Sequence, residues 1–245
     1  MHKCAYVLLG LVVCLFFASS ARAEPIYHEK FYPDGSGPFP AVIMLHSSGG
    51  FEKVKPRIQR YVDEGFVVYA PDFFVKHGIT RSNKMDTFDR FRQAIEKDLS
   101  EVNFLMRSDP KVQGDNIFAT GFSNGGFWVG YLTGTSKVSA GVSHFGVWKV
   151  NFGREVTNAY PMKYFSKSST PILALHGDDD GTQRLEFAEE AWDEIKSRGA
   201  TLETNVYSDV GHAWDVKNHR RFIYNEYVAK DSHKQTIEFF KNYMK

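Results

Sequence analysis

Short apolar runs alternate with amphipathic stretches along most of the chain. Residues 41–45 (AVIML) form a continuous apolar run, as a parallel strand does when both its faces are covered. The run empties into His46-Ser-Ser-Gly-Gly50. A helix over 54–64 and a strand over 66–70, stopped by Pro71, come next. A long amphipathic helix follows over 86–107, with Phe88, Phe91, Ile95, Leu99, Val102 and Leu105 at helical spacing. Further strands are expected over 117–120, 138–145, 171–175 and 202–207. Helices are expected to open at Phe127, to span 183–197, and to close the chain over 232–244, capped by Asp231 or Ser232. Residues 24–38 read as an extended edge ending in a turn, and 146–169 show no clear period. Strands alternating with helices of this length require right-handed crossovers and a mainly parallel sheet. Ligands of such sheets bind beyond the carboxyl ends of the strands.

One junction in this pattern carries chemistry. Between the 117–120 strand and the helix opening at Phe127 lies Gly121-Phe-Ser123-Asn-Gly125, the G-x-S-x-G form of a nucleophile elbow. A strand that turns at once into a helix strains its apex residue and crowds the neighbours two before and two after, which must then lack a Cβ. Ser123 would stand clear of the sheet. Its hydroxyl needs a base, and the base needs an orienting group. His212 follows the 202–207 strand, and one of Asp178, Asp179 and Asp180 follows the 171–175 strand. Ser…Asp…His is the chain order of an α/β-hydrolase. The expected oxyanion donors are backbone amides: that of Asn124, and that of Ser47 or Ser48 in the loop after residues 41–45. Phe73, Phe74, Trp148, Tyr160 and Trp214 sit on strand-end loops as candidate walls of an apolar pocket.

The N-terminus reads as an export leader rather than part of the fold. A short positive start, an apolar run over 4–17 and the small-x-small site Ala21-Arg-Ala23 predict cleavage before Glu24. Residues 1–23 are thus expected to be a signal peptide and 24–245 a single domain, periplasmic or secreted, with no stable membrane anchor after cleavage. Cys4 and Cys14 leave with the leader, which removes disulfide, thiol and cysteine–metal chemistry from the remainder. Lys3 and Arg22 leave too. The remaining charge is then −1, with no basic block, which argues against a nucleic-acid partner. No metal or cofactor is expected. H-E-x-x-H is absent, and the three aspartates lack the spacing of a calcium loop.

Together these pieces resemble the dienelactone hydrolase family of α/β-hydrolases over most of the chain. The matching stretches are PAVIMLHSSGG (40–50), APDFF (70–74), GFSNGG (121–126), HFGV (144–147), GDDD (177–180), YSDVGHAW (207–214) and TIEFF (236–240). The resemblance implies an α/β-hydrolase fold with a mainly parallel sheet of about eight strands, helices on both faces and no large lid. It places the triad acid on Asp180, with Asp179 as fallback, and favours Ser48 as the first oxyanion donor. The family's namesakes carry cysteine where this chain has Ser123, and an assisting glutamate where it has Ser47. They also carry a carboxylate-gripping arginine pair, in whose places stand Lys76 and Val216. Those departures favour an ordinary serine esterase over the namesakes' lactone activity. The expected substrate is a small-molecule ester or lactone, and the expected state a monomer. The alternative is a non-catalytic binding protein on the same scaffold, with its triad misaligned.

Overall fold

The computed structural model describes residues 25–149 and 160–245, so the expected leader lies outside the described residues. Seven strands form one sheet: β1 (His28–Phe31), β2 (Phe39–Leu45), β3 (Val67–Pro71), β4 (Val112–Phe122), β5 (Gly141–His144), β6 (Ile172–Gly177) and β7 (Leu202–Tyr207). Their order is β1-β3-β2-β4-β5-β6-β7. β1 runs antiparallel to β3 at the edge, and every other pairing is parallel. The expected count of about eight is one too high among the described residues. A single extended segment, β1, precedes β2.

Because strand side chains alternate, each buried strand feeds two cores. Ala41, Ile43 and Leu45 join Tyr69, Leu99, Trp128 and Trp192 on one face. Val42 and Met44 join Phe66, Phe118, Trp214 and Phe240 on the other. Helices α2 (Arg92–Ser108), α3 (Asn124–Gly134) and α4 (Leu185–Ser197) supply the first core; α1 (Ile58–Val62) and α5 (Glu226–Asn242) supply the second.

Three helices differ from the sequence expectation, each for a local reason. The expected 54–64 helix is broken into one 3₁₀ turn, Lys55–Arg57, and the short α1, which begins only after Pro56, whose missing N–H and ring forbid an α-helix running through it. The 86–107 helix starts at Arg92, because residues 84–88 form a separate 3₁₀ turn and Asp89 departs from helical angles. Met106 faces inward, while Leu105 is half-buried. α5 starts six residues early. Asn225, not Asp231 or Ser232, is the cap, and its side chain accepts from the Val228 amide at 3.1 Å.

Candidate active site

Ser123 stands where β4 passes directly into α3, with φ 53° and ψ −111°. A left-handed φ is strained for a residue with a Cβ and persists only where its surroundings over-determine it. Here its N–H donates to the His144 carbonyl at 3.0 Å, and its carbonyl accepts from Gly126 and Val147 at 2.9 and 3.1 Å. The flanking glycines permit the close approach. A Cβ on Gly121 would lie 2.3 Å from the Gly125 carbonyl oxygen, and one on Gly125 would lie 2.3 Å from that of Leu45. The second approach seats α3 against the end of β2, beside the Ser47–Ser48 loop.

Two further loops converge on the hydroxyl. His212 Nε2 lies 3.0 Å from Ser123 Oγ, and His212 Nδ1 lies 2.6 Å from Asp180 Oδ2. Asp180 Oδ1 accepts the Thr182 and Gln183 amides, both at 2.8 Å. Burial pushes the Asp180 carboxyl pKa upward, but the His212 hydrogen bond and charge, with the Gln183 amide, outweigh burial and hold it below the usual value. An ionised Asp180 fixes the proton on Nδ1, which donates to it, and leaves the Nε2 lone pair to accept from Ser123. The aspartates are thereby sorted: Asp178 and Asp179 are exposed, and only Asp180 turns inward.

Asn124 opens α3, where first-turn amides have no acceptor within the helix. Its side-chain Nδ2 donates to Ser48 Oγ at 3.3 Å, so the residues that carry the two expected oxyanion amides are tied together. A cavity of about 230 Å³ opens beside His212, with Thr182, Arg221 and Phe222 among its walls; it does not border Ser123.

The sequence profile of the dienelactone hydrolase family matches residues 29–244. The chain belongs to that family. A protein of Escherichia coli strain K12, provisionally named a carboxymethylenebutenolidase, is 25% identical over 231 residues, covering 89% of this chain and 82% of its own. The thermophilic esterase Est2 of Thermogutta terrifontis superposes with a TM-score of 0.68 at 16% identity, covering 88% of this chain and 86% of its own. P91, a dienelactone hydrolase-like promiscuous phosphotriesterase from metagenomic libraries, superposes with a TM-score of 0.69 at 17% identity, covering 90% and 99%. The chain is accordingly a hydrolase of the esterase type with a small-molecule substrate.

Other expected site residues of this family member are placed differently. Lys76, the substrate-binding candidate in the place of one of the namesakes' arginines, donates to Asp98 of α2 at 2.6 Å. Asp98 is 3% exposed and also receives His77 Nε2 at 2.6 Å. Phe74, Trp148 and Trp214 are core residues rather than pocket walls. Phe74 sets its ring edge against His46 with centroids 4.6 Å apart, and Trp148 packs on Trp192. Trp214 donates Nε1–H to Ser232 at 3.2 Å. Phe74 and Trp148 belong to one core and Trp214 to the other, so all three rings are spent on packing. Tyr160 remains half-buried.

The sequence pattern also missed two neighbours of the relay. Phe222 packs on His212 with ring centroids 5.3 Å apart. His176, fully buried, donates Nε2–H to the Gln183 carbonyl at 2.8 Å and lies 3.9 Å from Asp180. Burial lowers its pKa, so it stays neutral. The GD dipeptide after His176 was the signal available for it; Phe222 had none.

Proposed function

We propose that the protein is an exported, monomeric serine esterase that cleaves small neutral carboxylic esters through an acyl-enzyme. His212 takes the Ser123 proton as Oγ attacks the ester carbonyl, and Asp180 stabilises the resulting imidazolium. The oxyanion forms against the Asn124 and Ser48 amides. Collapse expels the alcohol, which receives the proton from His212. Water, deprotonated by the same histidine, then releases the acid.

The observation that carries this reading is the alignment of the three side chains, at 3.0 and 2.6 Å. A non-catalytic ligand binder would have no need of it. Preference for a neutral substrate is supported by Lys76, whose charge Asp98 already answers, and by Val216 in the second arginine's place. Export rests on the leader pattern of residues 1–23. N-terminal sequencing of the exported protein should begin at Glu24, and full-length chain recovered from the cytoplasm would refute it.

Ser123→Ala should lower p-nitrophenyl ester turnover by about 10⁴-fold or more. Undiminished turnover in that variant would rule the mechanism out.

A further inference from the structure

Beneath the relay lies a second group of buried polar side chains that takes no part in the chemistry above. Arg57 is at its centre. Its Nε donates to Asp215 Oδ2 at 2.5 Å, its Nη2 to Asp215 Oδ1 at 2.7 Å, and its Nη1 to the Lys53 carbonyl at 2.5 Å. The two side chains are 9% and 4% exposed. The guanidinium also lies over the Phe122 ring, 4.3 Å from its centroid. Phe122 is in turn stacked on His144 at 4.8 Å.

The positions of these partners matter more than their number. Phe122 immediately precedes Ser123, and the His144 carbonyl holds the Ser123 amide. Asp215 comes three residues after His212, in a loop whose Ala213 sits at φ 54° and whose Val216 amide closes a turn onto Ala213. Nucleophile and base therefore belong to separate loops, and one planar side chain touches both. We propose that Arg57 is a positioning residue that fixes His212 relative to Ser123 by clamping the base's loop, through Asp215, onto the nucleophile's platform, through Phe122.

The chemistry of the group suits that task. A guanidinium offers donors in a rigid planar fork and stacks on an aromatic face, whereas a lysine ammonium is a point charge that can reproduce neither geometry. Asp215 stays charged: burial raises its pKa, but the Arg57 charge and hydrogen bonds prevail. Removing one member alone would strand a buried charge. The proposal rests on the esterase reading, and the two are separable by experiment.

Arg57→Lys and the double variant Arg57→Met/Asp215→Leu should be compared with wild type at a temperature where circular dichroism shows each folded. The double variant removes both members of the buried pair; Arg60, whose Nη2 also lies 3.6 Å from Asp215, is 30% exposed and keeps access to water. The expected result for both is a kcat about 10- to 100-fold lower, the scale of a misplaced catalytic group, with KM changed by less than about threefold. Fluorophosphonate labelling of Ser123 should slow in step with kcat. A folded double variant with kcat and labelling rate near wild type would overturn the proposal. So would a loss carried by KM alone. Failure of wild-type Ser123 to take the label would instead strike the esterase reading itself.

Discussion

The Asp180 carboxylate is almost sealed from water, yet three hydrogen bonds converge on it: two from the Thr182 and Gln183 amides and one from His212. Its task is to hold the proton on Nδ1. Asp180→Asn would reverse that tautomer and should cut kcat by about 10⁴-fold. Asp179→Asn should leave kcat within about threefold, because that side chain is exposed and takes no part in the relay. Steady-state ester kinetics of the two variants checks both. The sequence led to this loop but not to its one inward carboxylate by spacing alone. Three identical residues differ only in where the turn after β6 points them. The same limit explains the aromatic residues: Trp148 and Trp214 are as apolar as a pocket wall would be, and only their burial in the folded chain shows that they belong to the core.

At the level of elements, the β4–α3 junction depends on contacts with no spare room. A Cβ on Gly125 would meet the carbonyls of Leu45 and His46 at 2.3 and 2.8 Å, both backbone atoms that cannot swing aside. Gly125→Ala should therefore cost about 3 kcal/mol or more, read as a lowered urea midpoint or as loss of soluble protein. The junction was legible because steric demand writes itself into glycine positions. α5 was less so. Its true cap, Asn225, follows an aromatic-rich loop that hides the boundary, whereas Ser232 looks like a cap but lies buried on the inner face of the helix. Asn225→Ala should cost about 1 kcal/mol by urea denaturation. α3 shows a third case: all its residues are buried, so it has no polar face and no amphipathic period to read.

Across the whole molecule, buried titratable groups set the acid limit of stability. Burial lowers His144 to about 3 and His233 to about 4. The unfolded chain binds these protons near pH 6.5 while the native state refuses them, so stability is complete above that pH and declines below it. His144 alone removes up to about 1.4 kcal/mol per pH unit. Asp72, Asp180 and Asp215, all held below the ordinary carboxylate value, extend the loss further into acid. The urea midpoint should fall steadily from about pH 6.5 to pH 4; a constant midpoint down to pH 5 would contradict this. The architecture itself was largely legible, since period and order of elements determine a parallel sheet, while the clamp made by Arg57 had no sequence signal. Its partners lie 65 and 158 residues away, and nothing local marks them. The central claim concerns one hydroxyl. Treating the purified protein with a fluorophosphonate and mapping the modified peptide by mass spectrometry should yield a single adduct on Ser123, strongly slowed in His212→Ala. An adduct elsewhere, or none in the folded protein, would contradict the account.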